Sequence, residues 1–290
     1  MVIVLAIGIL PVTAYADPDI TADFECPNFL AAVRALPSVP DTGPILASHV
    51  STIDSLSVSQ RSITSLAGIE HFAQLRTLTA NGNQITSVNL SSNPELTELR
   101  LANNALTSID VSNNPELTWL DLFMNELTSI DVSSNPELTI LELSDNALTA
   151  IDLSGNPALT SLGLSQNALT AIDLSGNPAL TSLDLSANAL TALDVSGNPA
   201  LTRILLQQTA LTTIDLSGNP ALTILTLSSN AFTAIDLSGN PALTSLRLDN
   251  NALTAIDVSG NPALIILVLD DNALTSIDLS GNPAIGALSL

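Results

Sequence analysis

Few side chains in this sequence could carry covalent or acid–base chemistry, and none is arranged to do so. The histidines are His49 and His71, the one cysteine is Cys26 and the one tyrosine is Tyr15. A nucleophile needs a base within hydrogen-bond reach, and that base needs a third group to orient it. No phosphate-cradling glycine loop, zinc-ligand spacing or nucleophile elbow brings such groups together. His71, at the edge of the first repeat, reads as a packing residue rather than a base. A lone cysteine also excludes an internal disulfide.

The remaining reactive group is a carboxylate that recurs. Asp110, Asp131, Asp152, Asp173, Asp194, Asp215, Asp236, Asp257 and Asp278 stand 21 residues apart, and Asn89 starts the column. Acid–base catalysis by two carboxylates needs unlike environments, so that one keeps its proton. A regular column gives its members like environments, so the expectation is no enzyme and no cofactor. A Ca²⁺ ion takes roughly six to eight oxygen ligands, more than one column supplies. Asp152, Asp173 and Asp194 are the weak candidates for a cation, and no metal is expected. Like charges about 4.8 Å apart repel by roughly 1 kcal/mol per pair at the dielectric of water. Hydrogen bonds to nearby Thr or Ser hydroxyls are expected to offset that repulsion.

Charge narrows the partners. There are 28 acidic residues against six basic ones, all Arg (Arg34, Arg61, Arg76, Arg100, Arg203 and Arg247), and the net charge is -22. Phosphate is attracted to basic faces, which argues against nucleic acid and anionic membrane surfaces as partners. Aromatic residues make up only 2% of the chain, which suits a thin aliphatic core rather than a thick globular one. Val2 to Leu10 is a short apolar run followed by Ala14-Tyr15-Ala16, the pattern of an export signal cleaved before Asp17. The run is too short to span a bilayer, so no membrane insertion is expected and the chain is placed outside the cell or on its surface.

The elements that position these groups follow from an internal repeat. Leu75, Leu96, Leu117, Leu138, Leu159, Leu180, Leu201, Leu222, Leu243 and Leu264 are 21 residues apart, which makes ten units from Leu75 to Ala284. A fixed period in this range means stacked coils. In Leu180 to Ala200, apolar residues occupy unit positions 1, 4, 6, 11, 14 and 16. The alternation at 4 and 6 is strand geometry, and the same spacing at 14 and 16 predicts a second short strand. From Gly155 onward the unit ends in Gly-Asn-Pro, where Gly is expected to supply a positive φ and Pro a rigid corner. Position 19 is Asn in all ten units, and position 9 is Asn in nine with Thr209 the exception. These amides are expected to satisfy backbone groups of adjoining coils.

The first half of each unit, as in LTELRLANNAL (Leu96 to Leu106), resembles the leucine-rich-repeat consensus. The whole unit resembles the bacterial 21-residue nested class. IDSLSVSQRSITSLAGIEHFAQ (Ile53 to Gln74) is similar to the first repeat of internalin-like surface proteins. FECPNFLAAVRA (Phe24 to Ala35) is similar to their helical N-terminal cap. The resemblance implies a mostly β leucine-rich-repeat solenoid of short parallel strands with a small helical N-terminal cap, its first-half strands lining a concave face. The expected organisation is a signal peptide at 1–16, a cap at 17–52, the internalin-like repeat at 53–74, ten repeats over 75–284 and the start of an eleventh, truncated one at 285–290. No capping segment follows that last unit, which departs from the family pattern.

The second half of the unit is nearly constant, whereas the first varies at its outward positions 3, 5, 7 and 8. Register places Trp119, Phe123 and Met124 beside Glu98, Arg100, Asp121 and Glu142. That is the composition of a binding hot spot. A smaller cluster is Arg203, Gln207, Gln208, Thr226 and Arg247. The function expected is extracellular recognition or adhesion on the concave face, with a protein partner or, as second candidate, a glycan. The alternatives are a structural stalk or spacer without a ligand, or an appendage of a larger surface protein. Oligomeric state is not legible here.

Overall fold

The computed structural model describes residues 17–290, so the expected export signal at 1–16 lies outside the described residues. After a 3-10 turn at Thr21–Asp23, a short helix, α1 (Pro27–Arg34), buries Phe29, Ala32 and Val33. Pro in its first turn is well placed, because N–H groups there have no helical partner. Twelve three-residue strands follow: β1 (Ser55–Ser57), β2 (Thr77–Thr79), β3 (Glu98–Arg100), β4 (Trp119–Asp121), β5 (Ile140–Glu142), β6 (Ser161–Gly163), β7 (Ser182–Asp184), β8 (Arg203–Leu205), β9 (Ile224–Thr226), β10 (Ser245–Arg247), β11 (Ile266–Val268) and β12 (Ala287–Ser289). They form one parallel sheet in strict sequence order. Ser55 pairs with Thr77 across the first repeat, and every later pair is offset by 21, as in Ser161 with Ser182.

One inward leucine in most strands (Ile204 in β8) and four more apolar positions per coil make the core. Leu180, Leu183, Leu185, Leu190 and Val195 are all buried, and the same positions are buried through most of the stack. Position 14 is only partly buried. Thr at position 2 reinforces the stack, since the Thr181 hydroxyl donates to the Thr160 carbonyl at 3.0 Å.

Two sequence expectations fail. Positions 14 and 16 form no second strand. The Asp at position 15 turns the chain instead, its Oδ1 accepting the N–H of the serine two residues on, as Asp194 does from Ser196 at 2.9 Å. The next turn closes from Asn198 N–H to Val195 O. These turns take up the position-17 N–H and the position-16 carbonyl, and no ladder forms between adjacent coils there. Gly155 also lacks a positive φ. The left-handed residue of each coil is at position 8, including Met124 (φ 57°), Gln166 (54°) and Gln208 (53°). Gly155 serves close approach instead, because a Cβ there would sit 3.1 Å from the Ser133 backbone.

Both Asn columns satisfy backbone groups as expected. Asn177, fully buried, donates to Leu153 O at 3.0 Å and Asn156 O at 2.9 Å in the preceding coil. At position 9, Asn188 donates to Leu164 O and Leu185 O and accepts the Leu169 N–H. Thr209 breaks this column. It draws Asn230 Oδ1 to its own N–H and hydroxyl, and among the described residues no group accepts the Leu190 N–H. Thr209→Asn restores an acceptor for Leu190 and a second donor for Leu185 O. The expected gain is about 1–2 kcal/mol, on the scale of one or two recovered buried hydrogen bonds. Equilibrium urea denaturation checks it, as a higher midpoint at unchanged slope.

Candidate recognition surface on the strand face

The strands place their position-3 and position-5 side chains on the outer side of the sheet. Register aligns Glu98 with Trp119 and Ile140, and Arg100 with Asp121 and Glu142. The Arg100 guanidinium lies over the Trp119 ring, 3.9 Å from its centroid, and its Nη2 meets Glu98 Oε2 at 2.9 Å. A cation over an indole face is attracted by the ring quadrupole. The indole and the guanidinium therefore hold each other in place. Phe123 and Met124 follow β4 and are 37% and 46% exposed. Met124 adopts a left-handed φ that a bulky side chain seldom takes, which turns the chain directly after Phe123. Asp121 Oδ1 accepts the Phe123 N–H at 3.1 Å. Burial pushes the Asp121 carboxyl above the ordinary aspartate range, against that hydrogen bond and the nearby Arg100 charge.

Register thus sets Trp119, Arg100, Glu98, Asp121 and Glu142 side by side, while Phe123 and Met124 lie past the end of β4 on the same coil. The smaller group does not close up in the same way. Arg203 and Arg247 are exposed but stand in different columns two coils apart, Gln207 lies exposed after β8, and Thr226 is buried beneath the surface. Gly163 is the feature that sequence reasoning missed. It empties one place in the position-5 column, and the Glu142 carboxylate folds over it, so a Cβ there would collide with that carboxylate. The signal was available as the one Gly among the position-5 residues.

The Asp column faces outward from the other half of the coil. Hydroxyl and backbone N–H bonds from the serine two residues on hold these carboxyls below the ordinary range, with neighbouring aspartates opposing at several positions. Asn89 makes the same turn with Ser91, so the turn needs a side-chain oxygen and not a charge. Among the described residues no group of three or more His, Cys, Asp or Glu side chains is placed to hold a metal ion. His71 is a surface link: its Nε2 meets Asp23 Oδ2 at 2.7 Å and ties the N-terminal segment to the first repeat.

The Asp column gives an acid dependence with a defined sign. A carboxyl whose folded pKa is depressed adds stability above the unfolded value, and that stability is lost as pH falls through the folded value. Stability should therefore fall below about pH 4, the unfolded aspartate range. The triple change Asp152→Asn, Asp173→Asn and Asp194→Asn keeps the turns and should flatten that fall. Thermal melts between pH 2 and pH 7 check it.

The comparisons agree with this architecture. A leucine-rich-repeat family model matches residues 115–169 and 136–190. The functional domain of InlJ from Listeria monocytogenes, described as including a cysteine ladder, is 37% identical with a TM-score of 0.90, over 93% of this chain and 60% of that one. The chain therefore spans about three fifths of that relative. With Cys26 its one cysteine, the ladders here are Asn rather than Cys. An internalin, InlF, from Listeria monocytogenes matches at 22% identity and TM-score 0.61, over 95% of this chain and 98% of its own. Drosophila Toll, in its complex with Spatzle, matches at 22% and 0.62, over 80% of this chain and 36% of that one. No curated protein sequence matches the chain. Its in-register 21-residue coils, its paired Asn columns and the overlay of 93% of the chain on an InlJ domain give it the leucine-rich-repeat fold, with repeats similar to those of a bacterial internalin-type protein.

Proposed function

We propose that the chain is an extracellular recognition module that holds a protein partner against its concave strand face, centred on Trp119, Phe123, Met124 and Arg100. The observation that carries this reading is the Arg100–Trp119 stack, with Phe123 and Met124 exposed just past the end of the same strand. Residues of these types, fixed before contact, bind with little loss of side-chain freedom. Arg203, Gln207 and Arg247, exposed on the same face but apart, serve as separate secondary contacts. Leucine-rich-repeat proteins of the internalin type are binding or adhesion modules, and the Toll–Spatzle complex is a case of the fold holding a protein. Among the described residues no helix is long and apolar enough to cross a membrane. The uniform second-half face favours a spacer role for that side of the molecule.

The test is paired capture. Residues 17–290 and a copy carrying Trp119→Ser, Phe123→Ser, Met124→Ser and Arg100→Ser are immobilised after circular dichroism confirms like folds. Both are exposed to cell-surface protein extracts and a glycan array. The variant should lose at least about thirtyfold in apparent affinity, the effect of removing about 2 kcal/mol of hot-spot contact. Equal capture by both would remove the site, and capture of glycans alone would replace the protein partner.

A further inference from the structure

We infer that the stack carries a joint at Thr209: the coil at 201–221 tilts away from the coil at 180–200 more readily than the coils before it part from one another, pivoting on Asn219. The joint stands independently of the recognition reading, and it divides the strand face between β7 and β8.

An Asn at position 9 ties its coil to the one before. Asn188 is the regular case: its Oδ1 accepts the Leu169 N–H at 2.9 Å and its Nδ2 donates to Leu164 O at 2.9 Å, both one coil back. Thr209 makes neither bond to the coil at 180–200. Its hydroxyl donates instead to Asn230 Oδ1 at 2.6 Å, in the coil that follows. Leu190 is fully buried, and among the described residues no group accepts its N–H. Leu185 O keeps the Asn188 amide and lacks a donor from the following coil. The disturbance reaches one junction further. With Asn230 Oδ1 drawn to Thr209, the Leu211 N–H has Thr209 Oγ1 at 3.4 Å in place of an Asn.

The opposite corner of the same junction is intact. Asn219 Nδ2 donates to Val195 O at 3.1 Å and to Asn198 O at 3.0 Å, like the members of its column before and after it. Close to that corner in the chain, the Thr202 N–H donates to Thr181 O at 2.9 Å. A junction tied at one corner and untied at the other opens by tilting about the tied one. Stacked coils touch mainly their neighbours, so opening concentrates where coupling between neighbours is weakest. The coil at the joint carries Arg203, Leu205, Gln207 and Gln208 at its outward positions, which sets the joint within the variable face. The Trp119 group lies wholly on one side of it, and Arg247 lies on the other.

Hydrogen exchange of the full chain, followed amide by amide by NMR, tests the joint. Leu185 N–H to Leu205 O, Ala187 N–H to Gln207 O and Ala210 N–H to Leu190 O are bonds that cross it. Their counterparts one junction earlier are the bonds donated by Leu164, Gln166 and Ala189. The first three amides should exchange about tenfold or more faster than the second three, the effect of one buried hydrogen bond on a local opening equilibrium. Thr202, beside the pivot, should stay as protected as Thr181. Thr209→Asn should bring the difference below about twofold, since it restores the missing tie. Asn146→Thr should move fast exchange to Leu122, Met124 and Ala147, whose bonds cross the junction before that coil. Equal exchange at the two junctions would overturn the joint. So would fast exchange confined to the unpaired Leu190 amide, or fast exchange that survives Thr209→Asn. Fast exchange at Thr202 as well would mean that the coils part whole, and the pivot on Asn219 would fall.

Discussion

Asn188→Ala is expected to destabilise the chain by about 3 kcal/mol or more, because two buried backbone groups lose their only partners at roughly 1–3 kcal/mol each. The position makes the effect larger than at other members of its column. Asn188 Oδ1 is the acceptor for the Leu169 N–H, and its Nδ2 is the donor to Leu185 O. In other coils that second carbonyl also receives the amide of the following coil, as Leu164 O receives both Asn167 and Asn188. After Leu185 the following residue of the column is Thr209, which makes no such bond. Alanine at 188 therefore leaves a buried N–H and a buried C=O unpaired. Asn167→Ala, with an intact neighbour, should destabilise less, and urea denaturation of the two variants separates them.

Leu183→Ala is expected to destabilise by about 3 kcal/mol, the usual range for truncating a buried leucine to alanine. Leu183 is fully buried, and its register neighbours are Leu162 and Ile204. The coil cannot collapse onto the gap, because both neighbouring coils are held by backbone ladders and by the Asn columns. Stacked coils touch mainly their neighbours, so a weak coil in the middle also loosens coupling between the two ends. The unfolding curve should broaden or split as well as shift. Leu288→Ala provides the contrast: that residue is 45% exposed on the last strand and should cost less than about 1 kcal/mol.

Most of the fold is legible in the sequence, since a 21-residue period with a 4-and-6 alternation admits few structures. The inward leucines, the parallel register and both Asn columns follow from it. Apolar spacing alone is not sufficient for a strand. Positions 14 and 16 have strand spacing, but Asp194 and its counterparts capture the backbone locally and leave extended chain without a ladder. Glycine tolerates a positive φ, which points to Gly155, whereas the coil needs it at position 8 and imposes it on Met, Gln, Asp and Ser alike. The residues of the proposed recognition surface stand out in the sequence as outliers in variable columns. Their geometry was not, because spacing gives no sign that Arg100 lies on Trp119 or that Glu142 fills the place of a missing side chain at Gly163.

The central claim, that a partner protein contacts the strand face beside Trp119, is tested most directly by site-specific crosslinking. A photo-crosslinking residue replaces Ile140, next to Trp119 in register, or separately Ala171, which is exposed on the second half of the coil. Each protein is irradiated on intact cells or with the captured extract. A crosslinked partner from position 140 and none from position 171 is the result this account predicts. Crosslinks from 171 alone, or equally from both, would contradict it and give the binding role to the uniform face.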